Sequence, residues 1–470
     1  MDERRLVTVA APVSGARPGP FMRAAAGEAR GFAARGNEWV ACAGIAAVLK
    51  IEGGEDDRFR KAKAMAERLV PVRELHLAGS GSNGPKPVPA RFYGGFTFRA
   101  AGEVAGSGDG RECWDGFPDA LFHLPRYELE GDGAGALLKV NELTEGKVTR
   151  AVTDRMFEAA KAYSDRLVGP FGLERAGSGA DPAPARLCGT RFPAWRSGVE
   201  SVLRRVRSGQ VRKVVLARTL DVRGERVVDP VDVVDRLWHV GDESHIFLIE
   251  PKAGVALVGA APETVAAVRR ESFHATAVAG SVGRGRTADE DASLGRTLLA
   301  SAKDRGEQRM VVRDMVARLR SLCREVDFDP EPHVLRLANL QHLETRIRAR
   351  VPRGTGVLDL LGSLHPTPAV CGVPRQAAEA ALEAEEPFYR GWYAGPVGWF
   401  DTAGNGSFVP ALRTGVTNSG GWRLFAGAGI VAGSDADSEW RETSLKFTPM
   451  LRALAAGGLD LPSTASEAGF

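Results

Sequence analysis

Two short stretches of this chain each place two carboxylates three residues apart. "SAKDRGEQ" carries Asp304 and Glu307. "SDADSEWRETSLK" carries Glu439 and Glu442, with Lys446 four residues beyond. Residues three or four apart share one face of a helix, so each stretch presents its acids together. If the two faces meet, they form an oxygen-rich site suited to a hard cation. Mg²⁺ takes one or two carboxylates and completes its octahedron with waters and substrate oxygens. No His/Cys cluster competes for a softer metal. Taken singly, each stretch is an ordinary surface ion-pair stripe, and Lys303 and Arg305 flank the first.

Two more charged residues stand in apolar strand sequence. Lys213 opens "KVVLAR", a place where lysine ordinarily marks a solvated strand end. Glu263 follows Pro262 at the close of "VALVGAAPET". Proline cannot donate to a strand ladder, so it ends the strand and aims the next side chain away from it. A helix-start acid is the other reading of Glu263.

The elements that must hold these residues follow from periodicity. Phe192 to Arg207 reads as an amphipathic helix, with Trp195, Val199, Val202, Leu203 and Val206 at helical spacing. "VRKVVLARTLDV", "SHIFLIEP" and "GVALVGAAPETVAAV" read as strands, and Ser293 to Cys323 as one long helix. "WYAGPVGWFDT", "GSFVPALRTGV" and "WRLFAGAGIVAG" read as three successive antiparallel strands. "FYGGFTFRA" and "ALFHLPRYELE" are strand-like earlier in the chain, and Gly79–Pro87 and Ala176–Pro184 read as loops. Hairpin-like strand runs between long helices predict an α+β fold. The texture changes near residue 190. The expected division is an N-terminal part over 1–190, a motif-rich part over 191–453, and a flexible tail over 454–470.

Bulk properties exclude several functions. Across 470 residues the formal net charge is +3, with no Lys/Arg block, which excludes a nucleic-acid footprint. The five cysteines are scattered with no CxxC pair, so neither a disulfide framework nor a zinc site is expected. No apolar run is long enough to span a bilayer, and the first residues lack a secretory apolar core; a cytoplasmic protein is expected.

The motifs taken in order resemble the chorismate-utilising enzyme family, most closely its isochorismate synthase branch. The matching segments are "KVVLAR", "LVGAAPET", "VAGSVGRGR", "SAKDRGEQ", "LANLQHLETRI", "LHPTPAVCGVP", "YRGWYAGPVGWF", "FVPALRTG" and "LFAGAGIVAGSDADSEWRETSLK". They span about Phe192 to Leu451. "YGGFTF" and "CWDGFPDALFHLPRYELE" resemble a weaker N-terminal signature. The resemblance implies large antiparallel sheets packed together with helices outside, and an active site between the halves. It implies Mg²⁺ held by Glu307 and Glu442, with Asp304 and Glu439 supporting them. It assigns Lys213 as general base and Glu263 as general acid in an exchange of water for the C4 hydroxyl of chorismate. Burial must then shift the carboxyl upward. Arg413 and Tyr393 match residues that bind the enolpyruvyl carboxylate, and Lys446 matches a lysine on the ring carboxylate. Gly280, Ser281 and Gly427 match positions where backbone approaches the ligand closely. His342 and His365 match pocket histidines, and Ala369 lies in the "HPTPAVCG" segment.

Two departures from the family pattern stand out: Gln308 where His is usual, and Ser281 where Thr is usual. Within the family, Lys213 together with Ala279 points to water and not ammonia as nucleophile, so no glutamine amidotransferase subunit is expected, and a monomer is. Salicylate synthase, which goes on to eliminate pyruvate, is the nearest alternative. A non-catalytic binding protein on the same fold would require loss of Lys213, Glu263 or a metal ligand. A metal-dependent hydrolase with four carboxylates leaves the ordered motifs unexplained.

Overall fold

The computed structural model describes residues 4–54, 57–77, 90–100, 110–132, 134–168, 181–240, 243–418 and 420–470. The expected loop at Gly79–Pro87 lies outside the described residues. So does most of the second loop, whose end already belongs to the strand Ala183–Gly189.

The expected mixture of sheet and helix is what the chain forms, with strands that pair mostly antiparallel. The pairing divides into two arms that share the long strands Glu38–Ile51 and Ala120–Gly131. One arm continues through Arg30–Arg35, His245–Lys252, Val255–Ala261, Thr414–Asn418 and Gly421–Val431 to Lys213–Gly224. The other runs through Phe92–Phe96, Pro396–Phe400, Gly406–Pro410, Ala266–Arg269 and Ser272–Gly283 to Leu340–Arg350. Each arm mixes strands from before and after residue 190, so the change of texture there is not a break in the sheet. Buried apolar residues such as Phe96, Phe122, Phe273 and Phe408 fill one core, and Val258, Leu424, Phe447 and Leu451 another.

Two segments read as single strands are each split, and the split positions the site. "GVALVGAAPETVAAV" forms one strand to Ala261 and another from Ala266, the first in one arm and the second in the other. Pro262 cannot continue the ladder, so the chain crosses between arms over residues 262–265 and leaves Glu263 in the gap. "GSFVPALRTGV" likewise splits at Ala411–Arg413, where Arg413 takes a positive φ of 49°. That conformation is uncommon for a non-glycine residue and turns the chain sharply. A third irregularity is a bulge between Ala279 and Ser281, with Gly280 at φ 75°.

The long helix expected over Ser293 to Cys323 is two helices, Ala288–Ala300 and Ala302–Leu319. Ser301 is extended between them, and its hydroxyl accepts from the Asp304 amide at 3.2 Å. A serine in that position caps a new helix instead of continuing the old one. Asp304 and Glu307 therefore stand near a helix N-terminus, where the dipole favours carboxylates. Glu439 and Glu442 occupy the start of the helix Ala436–Ala456, capped by Asp435 on the Ser438 amide at 2.9 Å.

The expected flexible tail is packed. Leu459 and Asp460 pair parallel with Ala183 and Pro184, and Ala465 and Phe470 are buried in the core. The Ser444 hydroxyl donates to the Phe470 carbonyl at 2.9 Å, and the Arg191 guanidinium lies over the Phe470 ring. The small and polar composition of "AAGGLDLPSTASEAGF" hides the few apolar anchors that decide its fate.

Candidate active site

One cavity lies where the two crossings, the bulge and the two capped helix starts converge. Lys213 enters it from the first residue of its strand and is 1 % exposed. Its Nζ meets the Glu307 carboxylate at 2.8 Å. Opposite Lys213 the neighbouring strand presents Val431, and two residues back Gly429, which lines the same cavity. A Cβ on Gly429 would stand 2.3 Å from Glu307 Oε1 and 2.9 Å from Lys213 Cε. Only glycine leaves room for that ion pair. Gly429→Ala is expected to keep the fold and lower kcat about a hundredfold, since small displacements of reacting groups are costly. Wild-type turnover in that variant would show the pair to be irrelevant.

Glu263 faces the cavity from the first crossing and is buried. Burial pushes its carboxyl up to about 8, although Lys213, the Val278 amide and Lys446 all pull it down. Its Oε1 has no hydrogen-bond partner among the described residues. A buried carboxyl of this kind is held protonated at neutral pH and can donate a proton.

The bulge at Gly280 brings Ser281 opposite His342. His342 Nδ1 lies 3.1 Å from the Gly280 carbonyl and its Nε2 lies 2.6 Å from Arg413 Nη2. A guanidinium only donates and a carbonyl only accepts, so His342 carries its proton on Nδ1 and accepts at Nε2. Burial and then Arg413 hold His342 well below the ordinary histidine range, which keeps it neutral. Its work in this structure is to orient Arg413, which reaches the cavity from the second crossing. The Ser281 hydroxyl donates to Glu442 Oε1 at 3.1 Å.

Lys446 Nζ donates to Glu442 Oε1 at 2.7 Å and to the Gly427 carbonyl at 2.8 Å. Tyr393 stacks on Phe425 at 4.9 Å, and its hydroxyl would lie 2.9 Å from a Cβ on Gly427. Burial pushes the Tyr393 phenol up, against Arg390, so it is a neutral donor. Ala369 lies on the same wall.

Asp304, Glu439 and His365 do not line the cavity. Asp304 is held by the Ser301 hydroxyl and packs behind the bulge, where a Cβ on Gly280 would approach it to 2.9 Å. Glu439 is buried one turn behind Glu442 and takes Lys303 at 2.8 Å. His365 ends the helix Val357–Leu364 and turns into an aromatic nest of Phe59 and Phe98, with Nε2 on the Phe98 carbonyl at 2.9 Å. Burial holds it neutral as a core residue, so its expected place in the pocket is corrected. Gly429 and Leu412 line the site without having been picked out beforehand. The alternating glycines of "GAGIVAG" were the available signal for the first.

Burial and then the Glu442 charge hold Glu439 above the usual carboxylate range. Lys303 is held up, against burial, by Glu439, Glu307 and Asp304. No three His, Cys, Asp or Glu side chains among the described residues converge on one point. Two carboxylates, Glu307 and Glu442, do reach the same cavity, each now closed onto a lysine, and the open space left is about 80 Å³. Two carboxylates among oxygen donors suit a hard cation that completes its shell from substrate and water.

Known proteins resemble this chain along most of its length. A family described as chorismate binding enzyme matches residues 1–455. The chain is 36% identical over 425 residues to the salicylate biosynthesis isochorismate synthase of Pseudomonas aeruginosa, covering 88% of this chain and 82% of that one. It is 30% identical over 411 residues to the isochorismate synthase MenF of Bacillus subtilis, covering 87% and 84%. The fold matches that of the menaquinone-specific isochorismate synthase MenF of Escherichia coli with a TM-score of 0.76, over 97% of this chain and 95% of that one, at 23% identity. This chain belongs to the chorismate binding enzyme family.

Proposed function

We propose that the protein is an isochorismate synthase, an isomerase that converts chorismate to isochorismate. The observation that carries the reading is the pairing in one cavity of a buried lysine with a buried, protonated carboxyl. Lys213 and Glu263 are the acid–base pair that a water-for-hydroxyl exchange requires, and the likeness to isochorismate synthases over most of the chain supports the same reaction.

In this reading Lys213 takes a proton from a water that attacks ring C2. The double bonds shift, and the C4 hydroxyl leaves as water with a proton from Glu263. One water enters and one departs, so substrate and product are isomers. Lys213 acts as a base only when neutral, so its Nζ must leave the contact with Glu307. Arg413, oriented by neutral His342, clamps the enolpyruvyl carboxylate through its fork, and Tyr393 donates to it. Lys446 meets the ring carboxylate. Ser281, Gly280, Gly427 and Ala369 keep the walls close to the ring. Glu307 and Glu442 would hold Mg²⁺, with Asp304 and Glu439 fixing them from behind, and the cation would supply positive charge for the ring carboxylate. No amidotransferase subunit is required, because the nucleophile is water. Among the described residues no helix is long and apolar enough to cross a membrane.

Chorismate incubated with the protein and Mg²⁺ should yield isochorismate as the main product. Accumulating salicylate fluorescence would move the assignment to salicylate synthase, and anthranilate formed from ammonium salts would reverse the choice of nucleophile. The pH profile offers a sharper check. Glu263 donates only while protonated, and its carboxyl is pushed up to about 8, so kcat should fall as pH rises through about 8. A rate flat well above that value would remove Glu263 as the acid.

A further inference from the structure

The strand Lys213–Gly224, which brings Lys213 to the cavity, is flanked along one edge by Gly421–Val431. Its other edge is covered only in parts. Gly372 and Val373 pair with Val214 and Lys213, and Ala183–Gly189 pairs from Leu220 onward. Among the described residues no strand lies alongside Val215 to Ala217 on that edge. Backbone groups buried there need partners from elsewhere. The Val215 amide donates to the Cys371 carbonyl at 2.7 Å. The Val215 carbonyl accepts from Arg390 Nη2 at 2.7 Å, and the Ala217 amide donates to Glu386 Oε1 at 2.8 Å. An ion pair of side chains thus takes the place of a missing strand.

Arg390 meets Glu386 in a fork, with Nε on Oε2 at 2.7 Å and Nη2 on Oε1 at 2.5 Å. The two side chains are 6 % and 4 % exposed. Nη1 reaches the Val370 carbonyl at 3.0 Å. The guanidinium carbon stands 4.5 Å from the centre of the Phe98 ring and 5.5 Å from that of Tyr393. The Tyr393 amide also donates to the Arg390 carbonyl at 2.9 Å. Val215, Val370 and Tyr393 all line the cavity, and Arg390 and Glu386 do not. One guanidinium therefore joins three separate pieces of the wall. Arginine suits the place because its planar fork offers donors to a carboxylate and to two carbonyls at once. A buried ion pair often adds no stability over apolar residues of the same volume, so stability by itself does not account for this one.

We propose that Arg390, locked by Glu386, is a positioning residue that sets the wall of Val215, Val370 and Tyr393 against the enolpyruvyl side of chorismate. The inference rests on the reaction proposed above for the cavity and adds what holds the substrate in register there. Lys213 and Glu263 depend on other contacts: Lys213 on Glu307 and on the strands beside it, Glu263 on the crossing that carries it. The wall meets a part of the substrate that the reaction leaves unchanged. Its contacts are made in ground state and transition state alike, so a displaced wall weakens binding more than it slows chemistry.

Steady-state kinetics and a crystal structure of Arg390→Lys test this. Lysine keeps the charge that Glu386 needs, but its compact ammonium cannot reach the acceptors that the guanidinium meets from three nitrogens. KM for chorismate should rise about tenfold while kcat changes by less than about threefold. A pair that only stabilised the fold would lower Tm and the active fraction, and hence kcat, and would leave KM alone. In a Tyr393→Phe background the same substitution should raise KM less than it does in wild type, because residues that act through one another are not additive. Arg390→Gln/Glu386→Gln strands no charge and should show the same direction of change in KM. In the crystal of either variant the Tyr393 ring should move from its 4.9 Å stack on Phe425, or the Val370 carbonyl should draw away from the strand. An unchanged KM in a folded variant would overturn the proposal, as would a wall that stays in place. Wild type that left chorismate unconverted would refute the reaction, and the movement of the wall would still decide the role of Arg390.

Discussion

Lys213→Ala is expected to lower kcat by roughly two to four orders of magnitude, the usual worth of a general base. Chorismate affinity should change far less, because Arg413 and Lys446 still face the two carboxylates. The position of Lys213 makes the experiment more demanding than it is for an ordinary strand-edge lysine. Its ammonium is 1 % exposed and paired with Glu307 at 2.8 Å. Removing it leaves a buried carboxylate without its partner, and breaking a buried pair typically costs about 3–5 kcal/mol of stability. The variant must therefore be shown to be folded at the assay temperature, by circular dichroism and a measured Tm. Lys213→Met, which keeps the aliphatic stem, separates packing from chemistry. Both variants should be folded and nearly inactive. Turnover close to wild type in either would take Lys213 out of the mechanism, and with it the main residue-level reason for choosing water over ammonia.

The second large effect should come from Glu307→Gln and Glu442→Gln, each of which should abolish Mg²⁺-dependent turnover while the fold survives. Both changes keep size and shape and remove one charge. Comparing them is informative because their present partners differ. Glu307→Gln also strips Lys213 of its counter-ion, whereas Glu442→Gln disturbs Lys446 and Ser281 and leaves the Lys213–Glu307 pair intact. Loss of Mg²⁺ response in both points to a shared cation. Loss in Glu307→Gln alone would attribute the effect to the ion pair. A Mg²⁺ titration unchanged in both would refute the metal assignment.

Much of the site could be read in the chain because it depends on local rules. Carboxylates three apart share a helical face whatever the fold, and both pairs do sit at helix starts. Proline after an apolar run ends a strand, which is why Glu263 could be picked out and why it stands in a crossing. The apolar positions of Phe192 to Arg207 define a helix with those same limits in the structure.

Other features depend on partners distant in the chain. Ser301 breaks a run whose composition reads as one helix, because a hydroxyl cap competes with continuation only when the following amide has no better acceptor. His365 and His342 look alike as sequence. One is drawn into an aromatic nest by Phe59 and Phe98, and the other is set against Arg413 by a bulge on a neighbouring strand. The tail from 454 is polar on average yet docks through Leu459, Ala465 and Phe470, whose burial depends on surfaces hundreds of residues away.

By itself the sequence determined the residue types, their order, the helical faces and the strand ends, because these follow from backbone geometry over a few residues. Only the tertiary structure decided which charges meet. Lys213 and Glu307 come from segments nearly a hundred residues apart, and Glu263 is pushed up to about 8 because the two arms of the sheet close over it. Burial sets the strength of a charge and the protonation of a carboxyl, and burial belongs to the packed chain and not to any stretch of it.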